Sequence, residues 1–254
     1  MTRRVLVHHD TDELMRTVAG RVIRTTKRTL DSKGSMNIVL TGGSVGIGIL
    51  AAIAAASDRA DVDWSRVHFW WGDERWVPDG HADRNEQQAR DALLDALDLP
   101  EGNIHPFPAS DQGLDLDAAA ERYAAELAAA ATTDGGLPHF DILLLGVGPD
   151  GHIASLFPDR PDLVDASGSV VAVRNSPKPP PERLSLTLGA INSAERVWIA
   201  LAGADKASAL GLALAGAGRY QVPVGAAEGR RKTVFFVDGQ AAAEVPEELI
   251  VSEY

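Results

Sequence analysis

ILLLGVGPDGHIASLFPD, residues 142–159, decides how the chain is read. An apolar run suited to a buried strand is followed by Gly146-Val147-Gly148-Pro149-Asp150-Gly151, which spells the G-x-G-x-x-G of a dinucleotide-binding turn. Such a turn needs its third glycine to open a full helix, and an acidic residue to end the next strand and hold a ribose hydroxyl. Here Pro158 stops the chain soon after Gly151, leaving room for about 10 Å of helix. The next apolar run, SVVAV (169–173), ends in Arg174 rather than an acid. Dinucleotide binding thus falls to a minor alternative, and the stretch reads as a strand-end loop that carries Asp150 and His152.

Working outward, short apolar runs recur: VLVH (5–8), NIVLT (37–41), VHFWW (67–71), FDILLL (140–145), SVVAV (169–173), VWIALA (197–202) and TVFFV (233–237). Most are continuously apolar, as strands covered on both faces must be. Between them, stretches rich in Ala, Leu, Glu and Arg predict helices at 11–30, 44–57, 84–97, 116–131, 187–194 and 205–215, with Asp10 or Thr11, Ser44 and Asp83 as N-caps. Alternating strands and helices predict an α/β, Rossmann-like, mostly parallel β-sheet with helices on both faces. DGGLP (134–138) and SPKPPPE (176–182) are short enough to be loops, so residues 1–254 are read as a single domain. In such folds ligands bind beyond the carboxyl ends of the strands, which directs attention to the residues after each apolar run.

Composition narrows the partners. Lys plus Arg is 24 against 36 Asp plus Glu, a net charge of -12, which repels nucleic acid and anionic membranes; neither is an expected partner. An anionic ligand would need cations gathered at its site. The absence of cysteine removes disulfides and thiolate chemistry. The start lacks the apolar core of a signal peptide, and no run approaches the roughly 20 apolar residues of a membrane span. A cytoplasmic monomer is the expectation.

NIVLT is followed by Gly42-Gly43-Ser44, which reads either as a phosphate seat at a helix N-terminus or as a tight turn with Ser44 as cap. Gly46-Ile47-Gly48 begins too late in the predicted helix for a dinucleotide turn. VHFWW runs into Gly72-Asp73-Glu74-Arg75, three charges that are either solvated, mutually paired or turned toward a ligand. Arg174, Lys178 and Arg183 flank a proline-stiffened loop that could equally be a plain connector. VWIALA leads to Gly203-Ala204-Asp205-Lys206, where a cation opposes the dipole of the following helix unless an anion lies between. At the centre stands His152, of the side-chain type suited to taking and returning protons, and Asp150 either orients it or serves the turn. The histidines show no spacing suited to a metal, there is no G-x-S-x-G elbow, and Ser155 is expected in a short helix after His152.

Taken together, TGGS (41–44), WGDERWVP (71–78), DRNEQQAR (83–90), LLLGVGPDGHIASLFP (143–158), SPKPPPERLSLTL (176–188) and AGADKASAL (202–210) resemble the 6-phosphogluconolactonase family, relatives of the glucosamine-6-phosphate deaminases. Val45-Gly46 and Ile153 depart from that pattern, where Thr-Pro and Thr are common. The resemblance implies hydrolysis of 6-phospho-D-glucono-1,5-lactone to 6-phosphogluconate, the second step of the oxidative pentose phosphate pathway, without metal or cofactor. It implies His152 as the base, assisted by Asp150. Lys206, Arg75, the Gly42-Gly43-Ser44 backbone and Arg183 would hold phosphate, and Asp73, matching the deaminase carbon base, would bind sugar hydroxyls. An amino-sugar-phosphate deaminase or isomerase, and a non-catalytic sugar-phosphate sensor, are the alternatives.

Overall fold

The computed structural model describes residues 4–131 and 136–251, so the first two residues of the DGGLP break lie outside it. Six strands form the expected parallel sheet: β1 (Arg4–His8), β2 (Met36–Leu40), β3 (Val67–Trp71), β5 (Ile142–Leu145), β8 (Arg196–Leu201) and β9 (Lys232–Asp238). They lie in the order β1-β9-β8-β5-β2-β3, and every pairing is parallel. The chain moves from β2 outward to β3, then returns to β5 and proceeds the other way through β8 and β9. The direction of winding therefore reverses between β2 and β5, where an open α/β sheet leaves a crevice at its carboxyl edge.

Helices flank this sheet. Alpha-helix α1 (Thr11–Lys33) is capped by Asp10, whose carboxylate accepts from the Glu13 N–H at 2.7 Å, and it ends on Gly34 at φ 84°. Against it packs α2 (Gly43–Ala55). A Cβ at Gly48 would fall 2.0 Å from Met15 Sδ, and one at Gly46 2.6 Å from the Thr41 carbonyl. The G-x-G spelling in α2 thus serves close packing. Helices α4 (Leu116–Ala129), capped by Asp115, and α7 (Ala207–Leu214) complete the larger elements.

The run SVVAV leaves the parallel sheet. It becomes β6 (Val170–Val173), half-buried rather than covered on both faces, in a three-stranded antiparallel sheet of order β4-β7-β6. Its companions β4 (Asp73–Arg75) and β7 (Arg183–Leu186) are short and polar, so apolar patterning does not reveal them. This small sheet continues from β3 and stands at the carboxyl edge of the large one, bonded through Leu186 N–H to the Gly72 carbonyl at 2.8 Å. Several expected helices are shorter. The 187–194 segment retains only α6 (Leu188–Ile191), after the single turn α5 (Pro161–Val164), and α7 is preceded by a 3-10 turn, Ala204–Lys206. Strand β1 ends at His8, which is buried, so the exposed His9 is not part of it.

Two predicted caps are also replaced. Helix α2 begins one residue early, with Gly42 as N-cap, which leaves Ser44 inside the first turn without a capping bond. Helix α3 (Asn85–Ala92) follows Arg84, not Asp83, and its cap comes from a distant residue. The Glu74 carboxylate accepts from the N–H groups of Asn85 at 2.7 Å and Glu86 at 2.9 Å, and from Arg75 at 2.8 Å. Burial pushes its carboxyl up to about 7, while the nearby Arg84 and these three donors pull the other way. Glu74→Ala would orphan three amides and leave the buried Arg84 without a partner at that side. A loss of about 3 kcal/mol is expected, measured as a lower denaturation midpoint; an unchanged midpoint would remove Glu74 from the anchoring role.

Candidate active site

The crevice between β2 and β5 opens into a pocket of about 400 Å³. Its floor is main chain: Thr41 to Gly43 after β2 and Gly146 to Gly148 after β5, joined by the Gly146 N–H donating to Thr41 Oγ1 at 3.2 Å. The first turn of α2 faces this space with N–H groups that no residue within the helix can accept, a ready seat for an anion.

Cations line the same pocket: Arg75, Arg183 and Lys206. Arg75 and Arg183 occupy facing positions of the antiparallel pair β4–β7, an arrangement of like charges that is unfavourable unless an anion joins them. Burial holds the Arg183 guanidinium below its ordinary value, Asp73 opposes that and Arg75 adds to it. Arg183 is fixed by the carbonyls of Lys178, Pro179 and Pro180 at 2.9–3.2 Å. Arg75 donates from Nη1 to the Asp83 carbonyl at 2.7 Å, while its buried Nε has no acceptor among the described residues. Lys206 pairs with the exposed Asp205 at 2.6 Å, so the cation expected to face a ligand already has one flexible partner.

The opening stretch forms the other wall. His152 lines the pocket, and its Nδ1 lies 2.5 Å from Asp150 Oδ1. A hydrogen bond between them places the proton on Nδ1 and leaves Nε2 as the basic nitrogen. Lys178 Nζ approaches the same Asp150 oxygen at 3.3 Å and His152 Nδ1 at 3.2 Å. Partial burial pushes Asp150 up, but the His152 bond and the Lys178 charge outweigh it, holding the carboxyl well below its usual range. The fit is close: a Cβ on Gly148 would meet His152 Nδ1 at 2.0 Å and Asp150 Oδ1 at 2.4 Å. Residues 153–156 make a tight turn closed by an Ile153–Leu156 bridge instead of the expected short helix, with Ala154 at φ 47°.

That turn aims Ser155 away from His152. Its buried hydroxyl donates to Asp73 Oδ2 at 2.7 Å, and Asn85 Nδ2 donates to the Asp73 carbonyl at 2.8 Å. Asn85 lines the pocket, and its buried Oδ1 has no partner among the described residues. A Cβ on Gly42 would fall 1.9 Å from that oxygen, so the glycine permits the contact between the α2 turn and α3. Of the residues singled out from sequence, Gly42, Gly43, Ser44, Asp73, Arg75, His152, Arg183 and Lys206 share this one pocket, and Asp150 adjoins it through His152. Ser155, Asn85 and Glu74 were not foreseen, because each acts through a partner distant in sequence.

A family model described as glucosamine-6-phosphate isomerases/6-phosphogluconolactonase matches residues 9–236. The chain belongs to this family. Among family members, the 6-phosphogluconolactonase of Streptomyces coelicolor is 46% identical over 252 residues, covering 98% of this chain and 97% of its own. That of Mycobacterium tuberculosis is 43% identical over 248 residues, covering 97% of this chain and 100% of its own. The crystal structure of 6-phosphogluconolactonase from Thermotoga maritima superposes with a TM-score of 0.81 at 28% identity, covering 93% of this chain and 99% of that one. The matched residues run from just after β1 to within two residues of the end of β9, so the pocket, the glycine loop and the small sheet all fall within them.

Proposed function

We propose that this chain hydrolyses 6-phospho-D-glucono-1,5-lactone to 6-phosphogluconate, the second step of the oxidative pentose phosphate pathway. The observation that carries the reading is one pocket holding a His–carboxylate pair at one wall and a cluster of cations beside a helix N-terminus at the other. Its relatives' names supply the substrate.

In this reading Arg75, Arg183, Lys206 and the α2 turn hold the phosphate, and the lactone ring extends toward His152. His152 Nε2 takes a proton from water as the oxygen attacks the lactone carbonyl carbon; Asp150 holds the ring and balances the imidazolium. Collapse of the tetrahedral intermediate breaks the bond from that carbon to the ring oxygen, which takes the proton from His152. The products are a hydroxyl and a carboxylic acid, which ionises in water. Asp73, with one oxygen already bonded to Ser155, suits a sugar hydroxyl.

The phosphate end is tested separately from the chemistry. Lys206→Ala should raise KM by about tenfold or more with kcat nearly unchanged, since an exposed-end phosphate contact binds substrate and transition state alike. Unaltered KM would remove Lys206 from the phosphate seat. For the reaction itself, glucose-6-phosphate dehydrogenase generates fresh lactone, and 6-phosphogluconate formation is followed with and without the protein. No acceleration above spontaneous hydrolysis, or release of ammonia from glucosamine 6-phosphate instead, would overturn the lactonase reading. Binding without turnover would mark a sensor.

A further inference from the structure

A second cleft, of about 740 Å³, lies at the opposite edge of the sheet, where β8 and β9 begin. Arg196 and Lys232, their first residues, are register partners and sit side by side. Arg21, Arg24 and Arg28 face them from α1, at a spacing that places all three along one side of the helix. Arg231 and Lys33 complete the wall. Seven cations and a single acid, Glu195, therefore line one cleft in a chain whose net charge is -12.

This arrangement opposes folding unless something offsets it. Like charges three and four residues apart weaken a helix, and the sequence places three arginines so. Burial, and then Arg4, Arg231, Arg196 and Arg21, hold the Lys232 ammonium below its ordinary value. Lys33 is neutralised by Asp141 at 2.7 Å, but Arg24, Arg28 and Arg231 form no ion pair among the described residues. The side chains of Thr25 and Thr29 add hydroxyl donors to the same wall.

We propose that this cleft binds a compact, multiply charged phosphate anion. Cations converging on a concave space, with hydroxyls beside them, match clustered phosphate oxygens, and the volume suits a nucleotide-sized or smaller ligand. An extended acidic chain would overrun the cleft onto a surface that carries the excess of Asp and Glu and would be repelled there. The site is independent of the lactonase reading, because none of its residues lines the other pocket.

The test is calorimetric titration of inorganic tripolyphosphate into the full chain carrying Lys206→Ala, which weakens the other phosphate seat. One equivalent should bind with micromolar affinity in chloride buffer. Adding Arg24→Ala and Arg231→Ala, both at exposed positions, should weaken that binding by about tenfold or more, and Arg28→Glu should do the same. In the otherwise unaltered chain, the Arg24→Ala/Arg231→Ala pair should leave lactone turnover unchanged and should not lower the melting temperature, since it relieves like-charge repulsion. Equal affinity in the cleft variants, or no binding in the starting protein, would overturn the proposal. So would octaglutamate binding as tightly as tripolyphosphate, which would make the cleft a docking place for acidic peptides.

Discussion

His152→Ala should lower kcat for lactone hydrolysis by about 10²-fold to 10⁴-fold, the contribution of a positioned base. The imidazole is half-buried, and its ring lies 4.7 Å from that of Phe157, so truncation removes some packing as well as the base. The melting temperature should move little, because the loop is held by its own main chain: Gly148 N–H donates to the His152 carbonyl at 3.0 Å, and Gly151 N–H to the Gly148 carbonyl at 2.9 Å. KM should stay near its normal value, since the cations proposed to hold phosphate lie on other elements. A kcat that survives the substitution, after correction for spontaneous hydrolysis, would mean that another group activates water.

Gly148→Ala is the sharper probe of the same centre. Its backbone is not left-handed, so alanine is conformationally acceptable there, and the nearest obstacle is the His152–Asp150 pair, which the new methyl would meet well inside contact distance. Both side chains must shift by about 1 Å, a misplacement that can reduce turnover by 10²-fold. The expected variant is folded, binds substrate and turns over slowly. Full activity would show that the orientation of the pair is not required, whereas loss of folding without loss of activity per folded molecule would assign Gly148 a packing role alone.

Much of this was legible in the sequence, for a physical reason. Strands of a parallel sheet must be apolar on both sides, so six core strands stand out as continuous runs, and the residues that follow them mark the carboxyl edge. The same logic misplaces SVVAV, which is apolar yet belongs to a small antiparallel sheet. It also misses Asp73–Arg75 and Arg183–Leu186, short strands that carry Asp73, Arg75 and Arg183 to the pocket. Helix caps were read correctly where the cap is local, as at Asp10, and incorrectly where a remote carboxylate supplies it, as Glu74 does for α3. Ser155 illustrates the limit. The sequence sets it aside as a nucleophile and places it in a short helix, and only the turn at Ala154 reveals that it serves Asp73.

The placement of Glu74 ties two segments of the pocket wall together. One carboxylate receives amides from β4 and from the start of α3, and these segments carry Arg75, Asp73 and Asn85 into the pocket. Local fraying of either segment would strand the same buried oxygens, so the two cannot loosen separately without the full penalty of an unsatisfied acceptor. The segments that carry Asp73, Arg75 and Asn85 therefore behave as one cooperative unit in the native ensemble, intact or lost together.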